Sequence, residues 1–198
     1  MSALITSPVT ELLQQQGIAF SVIEIPLTED KKPIRNLEAL LTQQGINPQS
    51  VVRSVLFKAG SEQFVLLAVA GGGRADWAVL RQHLNARKCR MAEFDEVQTA
   101  TGYIVGAVPP IVLPSEIKIL VDNSVKDYPI VVIGSGVLGY ALSLSSQDLI
   151  TLLVDAEQGK FTSAWDFYLG ALWKLTAKLA LKNRLNGLKF NQTFFDAL

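Results

Sequence analysis

Apolar positions along this chain change period several times, and each change marks an element. VTELLQQQ (9–16) spaces its apolar residues for one helix face. Ser7 stands at the N-cap position and Pro8 at the first helical position, and Gly17 closes the run. IAFSVIEI reads as a strand ended by Pro26, and the polar stretch LTEDKKP reads as a loop. A helix is expected from Asn36 to Gly45, then a turn at QGINPQS and a strand at VVRSVLFKAG. QFVLLAVAG is apolar on both faces, as a central strand would be. Beyond GGG (71–73), Asp76 can cap a helix over WAVLRQHLN, and RKCRMA reads as a short strand. AEFDEVQTATG is helical, IKILVD and YPIVVIG are strands, and SSQDLITLLV is a capped helix. YALSLS alternates apolar and polar with period two, which predicts a strand.

This order mixes hairpins with helices and predicts an α+β fold: a mixed, largely antiparallel sheet with flanking helices. An amphipathic helical extension follows from Phe161 to about Asn183. The predicted division is 1–158 for the α+β domain and 159–198 for the extension. Lys174, Lys178 and Lys182 fall on one face of the extension, with Trp165, Leu169, Leu172 and Leu179 on another. That pattern suits packing on the domain, a homodimer contact, or an RNA backbone.

Formal net charge is zero over 198 residues, so global charge predicts no polyanion partner. The distribution is uneven. Residues 160–198 carry six Lys/Arg against Asp166 and Asp196, a net of +4, which leaves −4 on the remainder. A single cysteine, Cys89, excludes an intramolecular disulfide and a multi-cysteine zinc site. Any Ser-His-Asp or Cys-His group would depend on His83, the one histidine. Neither a secretory signal nor a long uncharged apolar stretch is visible, so no membrane partner and a cytoplasmic location are expected.

Several motifs invite chemistry. VVIGSGVLG places Gly134, Gly136 and Gly139 in G-x-G-x-x-G order, with Asp155 about 20 residues on, the outline of a dinucleotide-binding turn. That site requires a helix directly after the glycines. YALSLS predicts a strand there, so a strand–turn–strand is favoured, and the dinucleotide-dependent oxidoreductase is kept only as an alternative. GGGR (71–74) can present consecutive N–H groups to an anion or simply connect a strand to a helix. His83 reads as a surface or packing residue. Cys89, among Arg87, Lys88 and Arg90, reads as a buried strand cysteine with solvated neighbours, although those cations can lower a thiol pKa. Arg53 lies within an apolar strand, where a guanidinium needs solvent, a salt bridge or an anionic ligand. TGYIVGAVPP (101–110) has no charged, His or Cys side chain, so the chemistry it can offer is mainly backbone N–H groups.

INPQSVVRSVLF (46–57), LLAVAGGGRADWAVLRQHLNARKCRMA (66–92), TGYIVGAVPP (101–110), IKILVDNS (117–124) and IVVIGSGVLGYALSLSSQDLITLL (130–153) occur in family order and spacing. Over roughly residues 5–155 the chain resembles the YbaK/EbsC-type aminoacyl-tRNA deacylases, relatives of the editing insertion of bacterial prolyl-tRNA synthetases. The resemblance implies a trans-editing hydrolase acting on the 3′ end of a mischarged aminoacyl-tRNA, without metal or organic cofactor. The G-x-x-x-P loop, Gly106 to Pro110, would lie against the aminoacyl ester. Its donors would be the amides of Gly106, Ala107 and Val108, with Pro109 and Pro110 stiffening the loop. Arg53 would anchor the terminal nucleotide, Ser54 would add a hydroxyl, and the turn Gly134–Ser135–Gly136 would line the pocket. Arg53 stands where the family commonly has a functional lysine. Val112 stands where a glycine is common, and Ala141 where some members carry an acidic residue. These departures leave open a module that binds tRNA or aminoacyl-adenosine with weakened catalysis.

Overall fold

Ser7 opens the first helix as its residue type predicts. In the computed structural model of the chain, which describes residues 5–28 and 37–163, its hydroxyl accepts from Thr10 N at 3.2 Å. Thr10 Oγ1 accepts from Ser7 N at 2.9 Å in return, and Pro8 starts α1 (Pro8–Gln15). All that follows, apart from Ser163, belongs to the first of two units into which the chain divides, Met1–Thr162. The lysine face expected in the C-terminal extension lies outside the described residues.

After β1 (Phe20–Glu24) and α2 (Leu37–Gln43), a 3₁₀ turn at Pro48–Ser50 leads into β2 (Arg53–Ala59) and β3 (Gln63–Val69). The short β4 (Arg74–Ala75) precedes α3 (Trp77–His83), whose start Asp76 caps by accepting from Ala78 N and Val79 N. β5 (Cys89–Met91), α4 (Phe94–Thr101) and β6 (Lys118–Asp122) follow, with the loop of TGYIVGAVPP between the last two. β7 (Ile130–Gly134), β8 (Tyr140–Ser145), α5 (Ser146–Leu152), β9 (Glu157–Gly159) and β10 (Thr162–Ser163) complete the order.

The main strands form a five-stranded sheet, β5-β2-β3-β6-β9, and a three-stranded sheet, β1-β8-β7, while β4 pairs with β10 alone. The first is mixed: β3 pairs antiparallel with β2 and parallel with β6. The second is antiparallel throughout. The expected mixed sheet is therefore present, with an antiparallel companion. β3, predicted to be central, has neighbours on both sides, and Val65 to Ala70 are all buried. α1 and α5 pack on the apolar faces of both sheets through Val9, Leu13 and Leu149 against Ala68, Val121, Val131, Ile133 and Leu142. Among the described residues no helix is long and apolar enough to cross a membrane.

Two features fix the part of the fold that carries the site. Val52 N donates to Val132 O at 2.8 Å, which ties the entry to β2 onto β7 and joins the two sheets at one point. Gly102 takes the left-handed conformation (φ +77°) that closes α4, releasing the chain into the 103–112 loop. Asp122, buried at the end of β6, accepts from Ser124 N at 3.0 Å and from Phe161 N at 2.7 Å. A carboxylate can be buried there because backbone donors satisfy it.

Candidate functional site

The junction of the two sheets leaves a cavity of about 230 Å³. Arg53 and Ser54 from β2, Gly106 and Val108 from the loop, and Gly134 from β7 all line it. Five of the ten residues expected at the site are thus brought around one space. Val51, Val132, Ile25 and Ala141 supply an apolar wall, and Tyr140 adds a phenol that sequence reasoning did not single out.

Arg53 is held at its tip. One guanidinium nitrogen, Nη2, donates to Gly71 O at 3.1 Å and to Gly73 O at 2.5 Å. The residue as a whole is exposed, yet partial burial of the guanidinium lowers its pKa. The group stays cationic because arginine loses its proton only far above neutrality. GGGR is thus the expected connection, from β3 through β4 to α3, and two of its carbonyls face the Arg53 cation. Five N–H donors belong to a guanidinium, and two suffice for these bonds. Ser54 Oγ, in the next position, is buried and has no hydrogen-bond partner among the described residues. A buried hydroxyl left unpaired is unfavourable, and a ligand in the adjacent cavity can relieve it.

The 103–112 loop is braced from three sides. Ala107 N donates to Ile104 O at 3.0 Å, so this amide is already committed to a turn. Gly106 N and Val108 N have no such partner among the described residues. Ala107 O accepts from Gly136 N at 2.9 Å, and Tyr103 Oη donates to Val112 O at 2.9 Å. The Tyr103 ring lies over Gly136, where a Cβ would meet Cε1 at 2.9 Å. Burial raises the Tyr103 pKa and keeps the phenol a donor. Pro109 and Pro110 are buried behind the cavity wall, so they brace the loop from inside.

The glycine turn meets this loop directly. A Cβ at Gly134 would collide with Val108 O and would lie 2.8 Å from Ala107 O. Ser135 is fully buried, and its hydroxyl bonds within the turn: it accepts from Val137 N at 3.1 Å and lies 2.8 Å from Tyr140 O. Ser7 Oγ donates to Ser135 O at 2.7 Å, tying α1 to the same turn. Ser135 and Gly136 therefore shape the cavity from behind, without lining it. β8 begins directly after the turn, paired with β7 in register Gly134↔Ala141. No helix N-terminus follows the glycines, which overturns the dinucleotide-binding alternative: the pyrophosphate would have no converging helical amides to rest on.

Val112 occupies the left-handed region at φ +57°, a strained conformation for a β-branched residue. Val112→Gly should raise stability by about 1 kcal/mol, since glycine removes about 1–2 kcal/mol of strain but adds chain entropy to the unfolded state. A thermal melt checks this, with a rise of roughly 2–4 °C expected for a chain of this size. An unchanged or lower melting temperature refutes it.

His83 and Cys89 lie elsewhere. His83 Nε2 is 2.5 Å from Glu157 Oε2, and its ring meets Phe161 edge-on. Lys118 first and His83 second hold the Glu157 carboxyl below its usual pKa. Cys89 is only partly buried, short of the full burial expected. Burial nevertheless raises its thiol pKa, opposed by a smaller influence from Arg81. Among the described residues no cluster of three or more His, Cys, Asp or Glu side chains is placed to hold a metal.

Comparison with known proteins agrees with this fold. Residues 31–152 match the aminoacyl-tRNA editing domain model. A proline–tRNA ligase of Kosmotoga olearia is 26% identical over 126 residues, covering 64% of this chain and 20% of that one. The corresponding ligase of Thermotoga maritima is 30% identical over 112 residues, covering 56% and 19%. The chain thus spans about a fifth of the length of these relatives. A crystal structure described as a candidate trans-editing enzyme for prolyl tRNA synthetase superposes with a TM-score of 0.66 at 22% identity. It covers 81% of this chain and all of that one. With more than half of its length matched to the family model, the chain belongs to the aminoacyl-tRNA editing domain family.

Proposed function

We propose that this protein is a trans-editing hydrolase that cleaves the ester of a mischarged aminoacyl-tRNA, releasing the free amino acid and intact tRNA. One observation carries the reading. In the fold of an editing domain, an arginine, an unpaired buried hydroxyl and two loop amides without described partners surround one small cavity. An aminoacyl ester is already activated, so orientation and oxyanion stabilisation provide much of the needed acceleration.

In this reading Arg53 holds the 3′-terminal nucleotide, and Gly106 N–H and Val108 N–H receive the developing oxyanion. Ala107 contributes through its carbonyl, which fixes the loop on Gly136. Water adds to the ester carbonyl, the tetrahedral intermediate collapses, and the departing ribose oxygen takes up a proton. No carboxylate, imidazole or thiol lines the cavity among the described residues. A hydroxyl of the substrate's own ribose, assisted by Ser54, is the group best placed to relay that proton. The apolar wall, with Ala141 where a carboxylate stands in some relatives, suits a small apolar aminoacyl side chain. A cytoplasmic location follows from this substrate.

A panel of Ala-, Cys-, Ser- and Pro-charged tRNAs tests the proposal. Hydrolysis of an apolar species is expected, with discrimination against seryl-tRNA of no more than about a hundredfold, because an apolar pocket rejects an added hydroxyl weakly. Absence of turnover across the panel with tRNA binding intact would replace the hydrolase by a recognition module. That second reading is favoured by Arg53, whose guanidinium cannot give up a proton as an ammonium can.

A further inference from the structure

Away from the cavity, cationic charge is concentrated beyond what a chain of zero net charge requires. Lys58, Arg81, Arg87, Lys88 and Arg90 line a second concavity of about 430 Å³ around Cys89, and no carboxylate lines it. Three segments build this surface. Arg81 sits in the last turn of α3, and the chain then reverses at Asn85 (φ +48°), with Ala86 N bonded to Arg81 O at 2.9 Å. The reversal returns Arg87 and Lys88 beside α3. Gly60 N donates to Lys88 O at 3.0 Å, and β5 pairs with β2 so that Arg90 stands opposite Lys58.

Like charges opposed across two strands repel. Glu96 resolves that pair: it accepts from both terminal nitrogens of Arg90 at 2.7 Å and from Lys58 Nζ at 3.2 Å. The Arg90 fork, followed by the Glu93 backbone and Lys58, holds the Glu96 carboxyl at about 2. Nothing comparable serves the other three. Arg81, Arg87 and Lys88 are exposed and carry no ion pair among the described residues. They do not serve the cysteine either, because burial outweighs Arg81 and raises the thiol pKa. Three uncompensated cations around one concavity fit a ligand that presents several anionic groups.

We infer that this concavity is a second contact for RNA, taking backbone phosphates of the substrate tRNA while the aminoacylated 3′ end enters the Arg53 cavity. The inference rests on the aminoacyl-tRNA reading above. β2 links the two places, with Arg53 its first residue and Ala59 its last. At about 3.3 Å per residue they stand roughly 20 Å apart on one rigid strand. Phosphate contacts carry no sequence information. The surface would therefore supply affinity for any tRNA and leave discrimination to the cavity.

The test uses the full chain, an uncharged tRNA, and an RNA hairpin lacking the single-stranded 3′ end. Binding is followed by fluorescence anisotropy across a salt series. The triple variant Arg81→Ala/Arg87→Ala/Lys88→Ala should bind both RNAs at least about tenfold more weakly at low salt. The slope of log K against log salt should flatten by about two to three, near one for each phosphate that the variant no longer neutralises. The single reversal Lys88→Glu provides the same comparison should the triple variant melt early. Wild-type affinity and slope in both variants overturn the inference. So does wild-type binding to phosphatidylserine vesicles without binding to RNA. Patch-dependent RNA binding without hydrolysis of any aminoacyl-tRNA upholds this surface and defeats the hydrolase reading instead. Hydrolysis with KM unchanged in the triple variant does the reverse.

Discussion

Gly134→Ala should lower deacylation by about a hundredfold or more, the scale of loss that an ångström of misplacement brings. It should also destabilise the protein by about 2–3 kcal/mol, the upper range for overpacking. Both effects have one cause. The added methyl would collide with Val108 O and lie 2.8 Å from Ala107 O. These are backbone atoms, so no side-chain rotamer relieves the clash. Either the loop withdraws, carrying the Gly106 and Val108 amides with it, or β7 shifts against its partner β8. Gly17→Ala is the matched control. Gly17 has φ +65° and nothing within 4 Å of the added carbon. It should cost about 1–2 kcal/mol of strain and leave turnover alone. Equal turnover in Gly134→Ala and wild type would show that the loop does not depend on this approach.

Much of this fold is legible in the local pattern. Alternation in YALSLS sufficed to place β8 where a dinucleotide site would need a helix. Ser7, Asp76 and Gly17 marked helix ends because capping depends on residues a few positions apart. The site was legible in part, through Arg53, Ser54, Gly106, Val108 and Gly134, all of which line the cavity. What local pattern cannot convey is how a backbone group is spent. The Ala107 amide looks as available as its neighbours in TGYIVGAVPP, but a turn to Ile104 engages it. Ser135 likewise looks available between two glycines, yet its hydroxyl serves the turn itself. Tyr103 carried no signal, because its partner carbonyl at Val112 lies beyond a loop of unknown path. The cationic concavity was half visible. Arg87, Lys88 and Arg90 flank Cys89 in sequence, whereas Arg81 joins them only through the reversal at Asn85.

Arg53 separates a tether from a substrate contact, and two variants can tell them apart. Arg53→Ala removes the bonds to Gly71 O and Gly73 O together with the charge beside Ser54. A fall in kcat/KM of about a hundredfold is expected, roughly 2.7 kcal/mol at 1.36 kcal/mol per tenfold. Stability should drop by no more than about 1–2 kcal/mol, the usual net worth of such hydrogen bonds. Arg53→Lys keeps the charge but replaces a planar fork by a point cation. One ammonium cannot span both carbonyls and also present a bidentate face to a ligand. Its turnover should therefore lie within about tenfold of wild type, with the loss mainly in KM, because charge would be retained while the geometry of ground-state binding is not. If both variants melt earlier by the same amount and retain wild-type kcat/KM, Arg53 is only the clasp of the Gly71–Gly73 loop. If Arg53→Ala loses activity while the lysine variant recovers kcat, the guanidinium is replaceable by charge. The lysine that the resemblance implies at this position and the arginine here would then be two solutions to holding the same anionic end of the substrate.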